Sequence, residues 1–329
     1  MNDNPPQLDP GSPEDASSST LMHQAWAAAR ALAADAATAT IVAAVTRAGV
    51  RPILLKGPSL AGWLYEPGEV RSYRDVDLLV APTELARSEE VLVELGYERI
   101  SYEGIHRTPH ADTWFHDGSL PVDLHRTLIG VSVPPEQAWA LLADHTETID
   151  ISGTPTTILT PPGRALHLAL HAAQHGSEIS KPLGDLSRAL QRARFETWRQ
   201  ASYLARDLGA TEGFAVGLRL LPEGQLVADR LELPHEASTE TMLRSRTAPP
   251  VALGIEQVAQ APGSLAKLSL AARKLLPGPA FMRAWSPLAR RGPLGLAASY
   301  AGRPFWLLWR SVPAVRAWMA ARTEARRGH

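Results

Sequence analysis

The sequence predicts an α+β protein, in which a small mixed β-sheet with packed helices is followed by a mainly helical C-terminal region. Two observations support this fold class. Up to residue 160 of the 329-residue chain, short apolar runs typical of strands alternate with longer helical patterns. After residue 161 the patterns are helical. Alternating strands and helices indicate a sheet with helices packed on it, so the sheet is expected in the first half of the chain.

The first elements are helical. Residues 21–50 are rich in alanine, the strongest helix former, and they predict one broken helix or two successive helices that end at Gly49. Pro52 opens a short apolar strand. That strand stops at a Lys-Gly-Pro-Ser turn over residues 56–59, and a short helix is predicted over residues 60–65.

The next elements predict the rest of a sheet. A strand over residues 75–80 is followed by a helix that Gly96 closes, since glycine suits a left-handed C-terminal cap. Residues 97–102 predict an edge strand, and residues 112–115 are expected to pair with residues 120–125 in a hairpin across Asp-Gly. The second half of this domain adds a helix over residues 134–143 and another hairpin over residues 148–159.

The C-terminal half predicts helices separated by prolines. Residues 233–250 resemble a linker, and the helices after it are expected to be short pieces. The prolines that would break them are Pro277, Pro279, Pro287, Pro293, Pro304 and Pro313. The predicted organisation is a disordered lead-in over residues 1–20, an α/β domain over 21–160, a helical domain over 161–232, a linker over 233–250 and a basic helical region over 251–329.

Composition excludes several classes of site and of location. Cysteine is absent, so disulfides, thiolate zinc sites and cysteine nucleophiles are excluded. The N-terminus lacks the basic-then-apolar pattern of a secretion signal. No run reaches the roughly 18 uncharged apolar residues of a membrane span. A cytoplasmic location is therefore expected.

Charge is unevenly distributed along the chain. From residue 265 onward twelve basic residues accompany one acidic residue, Glu324, so this tail carries +11. Because the whole chain carries −1, the remaining residues carry −12. Trp306, Trp309 and Trp318 are interleaved with the basic residues. The tail could lie on an anionic membrane, bind a peptide or nucleic acid, or be a closing helix that packs on the acidic body. The last interpretation is favoured, because Pro304 and Pro313 would break the long helix that membrane binding prefers.

Two acids open the strand over residues 75–80. Side chains two positions apart on a strand point the same way, so Asp75 and Asp77 lie about 6.6 Å apart along one face, while Val76, Leu78 and Val80 share the opposite, buried face. Two negative charges at so short a distance repel each other unless a cation lies between them. Carboxylate oxygens are suitable ligands for Mg²⁺. The alternative is a solvated strand end with ordinary surface acids.

Two other stretches favour a site at these acids. A strand, a glycine turn and a helix N-terminus follow one another around Lys56 and Gly57, a geometry that presents backbone N–H groups to phosphate. In the run Leu-Pro-Val-Asp-Leu-His, Asp123 and His125 share one face of a strand. The same alternation places Asp75 and Asp123 on exposed strand faces, so we expect them to share a cation. Three acids beside a phosphate-binding turn form the arrangement that two-metal phosphoryl transfer needs.

The order of a Lys-Gly turn, an Arg-x-x-x-Asp-x-Asp strand and a later Val-Asp-Leu-His strand resembles the nucleotidyltransferase superfamily of DNA polymerase beta. It is more similar to a bacterial family of uncharacterised nucleotidyltransferases, some of them encoded in peptide natural-product gene clusters. The resemblance covers residues 49–185. The chain departs from the wider superfamily at the turn, where Gly-Ser or Gly-Gly is usual and Lys56-Gly57 stands here, with Ser59 two residues on.

The resemblance implies an enzyme that binds ATP or another NTP and transfers NMP to an unknown acceptor, a small molecule or a peptide, releasing pyrophosphate. Asp75, Asp77 and Asp123 would hold two Mg²⁺ ions, and Asp123 could act as the base toward the acceptor. Natural-product biosynthesis is the implied setting. The phosphate-binding residues implied with them are Lys56, Gly57, Ser59 and Arg74.

Three expectations concern neighbouring charged and imidazole groups. A role as phosphate ligand is favoured for Arg74 over a role as ion-pair partner of the nearby acids, because its planar guanidinium suits phosphate. The residues implied on the acceptor side are His125, His175 and Asp185. His167, His171 and His175 recur at i, i+4 and i+8 and share a helical face, and packing or hydrogen-bonded histidines are favoured over a zinc site there.

A rival hypothesis is a non-catalytic accessory protein that binds a nucleotide or a peptide without turnover. The unusual Lys56-Gly57 turn and the basic tail motivate it. The retention of Asp75, Asp77 and Asp123 argues against it, because a binding module has no reason to keep three mutually repelling acids.

Overall fold

The computed structural model describes residues 13–66, 68–100, 110–176, 179–246 and 248–327. Up to residue 160 its elements are α1 (Pro13–Arg47), β1 (Ile53–Leu54), α2 (Pro58–Leu64), β2 (Val76–Leu79), a 3-10 turn (Pro82–Glu84), α3 (Leu85–Glu94), β3 (Glu98–Arg99), β4 (Ala111–Phe115), β5 (Val122–His125), α4 (Pro135–Ala143), β6 (Thr146–Ile151) and β7 (Thr154–Leu159).

The remaining elements are helical. They are α5 (Pro161–His175), α6 (Ser180–Arg192), α7 (Phe195–Asp207), α8 (Thr211–Arg219), α9 (Pro222–Arg230), α10 (Thr239–Ser245), α11 (Pro250–Gln260), α12 (Gly263–Leu275), α13 (Pro279–Trp285), a 3-10 helix (Leu288–Arg291) and α14 (Pro293–Arg327). The predicted α+β fold class is therefore confirmed.

Proline starts many of the helices. Pro58, Pro161 and Pro222 occupy the first turn of α2, α5 and α9, where the missing N–H has no helical partner to lose and the fixed φ suits the helix. The Ser238 hydroxyl caps α10 by accepting a hydrogen bond from the Thr241 N–H at 3.3 Å. These local signals favour helix starts at the positions observed.

The seven strands form one mixed sheet in the order β3-β4-β5-β2-β1-β7-β6. Strands β1 and β2 are antiparallel, with Ile53 opposite Leu79, and β1 and β7 are parallel, with Leu54 opposite Ile158. Strand β2 is therefore an interior strand with β5 on one side and β1 on the other. This position brings the two predicted acidic strands next to each other.

Contacts divide the chain into two compact units. The first comprises residues 1–98, 113–124 and 147–158, and the second comprises residues 99–112, 125–146 and 159–329. The core of the first unit packs Val42 and Val45 of α1 and Leu92 of α3 against Val76 and Leu78 of β2. The buried face predicted for the acidic strand is thus confirmed.

Helix α5 is central to the second unit. It packs on α6, α7, α8 and α10, and nearly all of its residues from Gly163 to Ala173 are buried. Its approach to α8 is close enough to require glycine: a Cβ at Gly217 would lie 1.9 Å from the Ala169 carbonyl oxygen. Trp198 and Phe214 fill the space beside it, with ring centroids 6.4 Å apart.

Several local predictions need correction. Helix α1 is one continuous helix that begins at Pro13, inside the predicted lead-in; residues 1–12 lie outside the described residues. The predicted edge strand over 97–102 is only the short β3, and its last two residues also lie outside the described part. The stretch 233–250 is folded, because it contains α10 and buries Leu243.

The C-terminal region also differs from its prediction. Pro304 and Pro313 lie inside α14, which runs unbroken for 35 residues. Proline removes one helical hydrogen bond and crowds the preceding turn, a cost that tertiary packing can offset. Helix α14 packs on α10, α11, α13 and the 3-10 helix, and these contacts can offset the cost of both prolines.

One helical segment, Ala25–Arg47 of α1, is long and apolar enough to cross a membrane by length and composition alone. The sequence had predicted no such segment. Ile41, Val42 and Val45 of this segment are buried in the core of the first unit, whereas Trp26 and Leu32 nearer its start are exposed.

Candidate active site

Backbone hydrogen bonds fix Asp77 between two neighbouring stretches of chain. The Val76 N–H donates to the Pro121 carbonyl at 2.9 Å, just before β5, and the Leu55 N–H donates to the Asp77 carbonyl at 2.9 Å, just after β1. Asp77 is therefore held beside the residues that follow β1 and those that begin β5. Those residues include Lys56 and Asp123.

The Asp77 carboxylate is buried and paired. Only 1% of the residue is exposed, and the Lys56 ammonium donates to its Oδ1 at 2.8 Å. A buried carboxylate without a partner would cost several kcal/mol, so Lys56 stabilises Asp77 where it stands. Alternation had predicted an open face for the acids. Instead Asp77 is as buried as Val76 and Leu78, because β2 is interior and Lys56 lies against the carboxylate.

Strand β5 supplies the other two members of a group. Asp123 and His125 are two positions apart and share a face of the strand. The Thr113 hydroxyl of β4 donates to Asp123 Oδ1 at 2.6 Å. One ligand atom from each of Asp77, Asp123 and His125 lies within 4.8 Å of the others. We call these three residues the Asp77 group.

The Asp77 group is a mixed donor set of two carboxylates and one imidazole. Carboxylates suit hard cations such as Mg²⁺ and Mn²⁺, whereas imidazole is a better ligand for transition metals. A carboxylate has two oxygens with about four acceptor sites, so Asp77 and Asp123 can each keep their present hydrogen bond and also coordinate an ion. The group therefore fits one divalent cation.

Asp75, the other acid of the predicted pair, lies just before β2 and is half-buried. Asp75 is not a member of the Asp77 group. His125, which was predicted on the acceptor side, is a member. A cation shared between Asp75 and Asp123 stays a prediction. The two arginines beside Asp75 differ in burial: Arg71 is 6% exposed and Arg74 is exposed, so Arg74 is the more accessible of the two for the predicted phosphate contact.

The Lys56-Gly57 turn has a backbone that favours glycine. Gly57 has φ 64° and ψ −124°, in the left-handed region that L side chains rarely adopt. Its Cα also meets an aromatic ring, since a Cβ at Gly57 would lie 3.2 Å from Tyr73. The neighbouring Ser59 hydroxyl is buried and donates to the Leu55 carbonyl at 3.1 Å. The predicted phosphate contact from Ser59 would require that hydroxyl to turn away from Leu55.

Tyr73 links this turn to helix α1. Its hydroxyl donates to Asp35 Oδ1 at 2.6 Å and lies 3.2 Å from the Thr38 hydroxyl. Burial, and then the hydrogen bond to Asp35, raise the pKa of Tyr73 well above its usual range. The phenol therefore stays neutral and keeps its ring against Gly57. Sequence reasoning missed this network because its members are 35 to 38 positions apart and no local pattern marks them.

The predicted acceptor-side residues of the second unit lie on α5 and α6. The three histidines of α5 form a row, with ring centroids 6.1 Å apart for His167 and His171 and 4.5 Å apart for His171 and His175. The shared face predicted for them is confirmed. Asp185 on α6 is buried. The acceptor role of His175 and Asp185 stays a prediction.

A family model decides the class of protein. The model described as uncharacterised nucleotidyltransferase matches residues 8–223, about two thirds of the chain. The chain belongs to this family. It is accordingly a transferase of nucleotidyl groups, and the accessory-module hypothesis is not supported. The matched part of this nucleotidyltransferase contains Lys56 and the Asp77 group, whereas α10 to α14 lie beyond it.

Two solved structures are similar to the nucleotidyltransferase. The antibiotic-resistance factor ANT(2'')-Ia is 13% identical, with a TM-score of 0.36 over 52% of this chain and 94% of that one. An antigenic nucleotidyltransferase-like protein from Paracoccidioides brasiliensis is 14% identical, with a TM-score of 0.36 over 59% of this chain and 91% of that one. Both are too distant to assign a substrate. No curated protein matches the sequence.

Proposed function

We propose that this nucleotidyltransferase moves an NMP group from an NTP to a hydroxyl or phosphate of an acceptor and releases pyrophosphate. The observation that supports the proposal is the Asp77 group, whose ligand atoms lie within 4.8 Å of one another, beside the Lys56 ammonium. Acids this close repel unless a cation lies between them. Transfer from a triphosphate needs such cations, because negative charge must be neutralised at the phosphates.

Asp77 and Asp123 would hold the divalent cation, with His125 as the third donor. We expect Mg²⁺, two ions in all, with Asp75 as a ligand of the second. Bound there, the metal supplies charge neutralisation for the triphosphate and stabilises the attacking and leaving oxygens. The Thr113 hydroxyl, which donates to Asp123 at 2.6 Å, orients that carboxylate.

Lys56 is the residue best placed to contact the triphosphate. Its ammonium is a compact charge on a flexible stem, and its side chain is 15% exposed whereas that of Asp77 is fully buried. We expect the ammonium to leave Asp77 for a β- or γ-phosphate oxygen when a nucleotide binds. The predicted further phosphate contacts are the Gly57 N–H, Arg74 and, after rotation of its hydroxyl, Ser59.

The acceptor step requires one proton to move. An acceptor oxygen forms a bond to the α-phosphorus while the bond to the pyrophosphate oxygen breaks, and a hydroxyl acceptor gives its proton to the Asp123 carboxylate. In-line positioning of the two oxygens provides much of the rate acceleration. A small molecule or a peptide is the expected acceptor, in natural-product biosynthesis. A cytoplasmic location, where NTP is available, is part of this proposal.

The test is a transfer assay with each NTP labelled on its α-phosphate, in which candidate acceptors are screened for the mass of an added NMP. ATP is the first NTP to test. Asp77→Asn and Asp123→Asn are expected to lower turnover about 10³-fold, since loss of a metal ligand removes several kcal/mol of transition-state stabilisation. The matched control is Asp117→Asn, an exposed carboxylate at the β4–β5 turn, which should keep wild-type turnover.

A second readout does not depend on the acceptor. Binding of Mn²⁺ with a non-hydrolysable NTP is measured by electron paramagnetic resonance, and the wild type should bind both while Asp77→Asn and Asp123→Asn lose the ion. Full turnover in either variant would show that these carboxylates are not the catalytic ones. A wild-type protein that binds neither Mn²⁺ nor any NTP would overturn the proposal.

A further inference from the structure

Helix α14 carries apolar side chains on two faces, and one face is covered. Ala314 and Ala321 are fully buried, in a cluster with Leu243 of α10. On the same side the Trp318 indole N–H donates to Glu256 Oε2 at 2.6 Å. These contacts attach α14 to α10 and α11 and fix which side of the helix faces outward.

The opposite face is apolar and exposed. Its large side chains recur three or four positions apart, the spacing of residues that share one side of a helix. They are Leu294 (87% exposed), Phe305 (74%), Leu308 (67%), Trp309 (72%), Val312 (54%), Val315 (37%) and Met319 (57%). We call these seven residues the α14 stripe. From Phe305 to Met319 the stripe spans about 21 Å at 1.5 Å per residue. An apolar surface of this length is unusual on a soluble domain and marks an interaction site.

Basic groups accompany the stripe. Arg316 is exposed one turn after Val312, and the Arg310 guanidinium stacks over the Trp309 ring at 5.2 Å. The single acid after residue 264, Glu324, is already paired with Arg246, which directly follows α10. The partner of the stripe therefore meets apolar side chains and positive charge together.

We propose that the α14 stripe binds the surface of an anionic lipid membrane. Phenylalanine, leucine, tryptophan and methionine enter the boundary between headgroups and acyl chains, while arginines stay at the phosphates. The +11 charge of residues 265–329 complements anionic headgroups. The sequence objection was that Pro304 and Pro313 would break the helix, and it no longer applies because α14 is continuous through both.

Two other partners fit the surface less well. A second copy of the chain would bring two +11 regions together, and like charges repel. A nucleic acid would match the charge but not the aliphatic part of the stripe, because protein–nucleic acid interfaces are more polar than other interfaces. Leu294, Leu308 and Met319 would gain little from contact with phosphates.

The absence of cysteine allows a clean test on the full-length chain. Leu308→Cys is labelled with an environment-sensitive fluorophore and mixed with phosphatidylcholine vesicles with or without phosphatidylserine. The label should move to a less polar environment only when phosphatidylserine is present. The matched control is Leu226→Cys on α9, which is 72% exposed and outside the stripe, and its label should not respond.

Variants separate the electrostatic contribution to membrane binding from the apolar contribution. Arg316→Gln should lower partitioning into anionic vesicles about fivefold, since a basic residue near such a surface contributes about 1 kcal/mol. Leu308→Gln should also lower it, and Leu226→Gln should not. These binding assays contain no nucleotide, so their outcome is independent of the transferase assay.

Several results would overturn the proposal. One is the absence of any response of the 308 label to anionic vesicles, and another is an equal response of the 226 label. A third is a response to duplex DNA or RNA that vesicles do not reproduce. A fourth is a concentration-dependent dimer, seen by sedimentation without lipid, in which the 308 label becomes buried.

Discussion

Strand β2 and helix α14 depart in opposite ways from the usual pattern, in which charged side chains are exposed and large apolar side chains are buried. In β2 a charged residue, Asp77, is almost completely buried and lies 2.8 Å from the Lys56 ammonium. In α14 large apolar residues such as Phe305 and Trp309 are about three-quarters exposed. Folding alone favours neither arrangement, because buried charge costs free energy and exposed apolar surface gains none.

The comparison separates two kinds of functional surface. In the function we propose, the buried pair binds a small, charged ligand, because its charges are already oriented before the ligand arrives. In the further proposal, the exposed stripe binds a large partner, which supplies the burial that the chain itself does not. On these proposals one region performs the chemistry and another determines location. Three sets of variants test this division, in order of decreasing effect.

The largest effect is expected at the buried pair. Lys56→Met removes the ammonium that lies 2.8 Å from the buried Asp77 carboxylate, which should lower the free energy of unfolding by about 3–5 kcal/mol. The double variant Lys56→Met/Asp77→Asn removes both charges and should recover most of that loss while remaining inactive. Urea unfolding of the two variants measures both changes. Equal destabilisation by the single and double variants would mean that the pair's charges do not matter to the fold.

A smaller effect is expected at Tyr73. Tyr73→Phe keeps the ring against Gly57 and removes the hydrogen bond to Asp35, so the free energy of unfolding should fall by about 1.5–3 kcal/mol. The folded-state pKa of Tyr73 is raised above the unfolded value of 10.0, so this stabilisation is complete below pH 10 and is lost as pH rises above it. Urea unfolding at pH 8 and above pH 10 should show the difference between wild type and variant shrinking. A difference that is constant with pH would contradict this assignment.

The smallest effects distinguish the two faces of α14. Trp318→Phe removes the hydrogen bond to Glu256 and should cost about 2 kcal/mol. Trp309→Phe on the exposed face should change the free energy of unfolding by less than about 0.5 kcal/mol. Thermal unfolding of the pair checks this. An equal loss for both variants would show that the stripe is packed in solution, which would weaken the case for an external partner.

The residues near the acidic strand show how far sequence reasoning extends. Alternation predicted the buried face of Val76 and Leu78 and the shared face of Asp123 and His125, because strand geometry is local and has a period of two. It did not predict that Lys56 would reach Asp77, since that contact depends on β1 and β2 lying side by side. Nor did it predict that His125 would lie with Asp77, because that proximity depends on β2 and β5 being neighbours; its acceptor-side role stays a prediction.

Helix α14 shows a different limit. Its prolines predicted breaks, as expected from local propensity, but α14 is continuous and packs on α10, α11, α13 and the 3-10 helix. Which tryptophans would be buried was equally beyond the sequence, because Trp309 and Trp318 occur in similar basic surroundings and differ only in the face they occupy. Tyr73, Asp35 and Thr38 carried no signal at all, since their contact joins residues far apart in the chain.

The contact between α5 and α8 has a practical consequence for genetics. At Gly217 the backbones meet so closely that even a methyl group would collide with the Ala169 carbonyl. The spacing of the two helices is thus set by the peptide chain itself and cannot be readjusted by rotating a side chain. Gly217→Ala is therefore expected to push the two helices apart and to destabilise the fold, although it removes no polar contact and no buried side chain. Such a variant would lose the enzyme through its fold and leave every candidate catalytic residue in place.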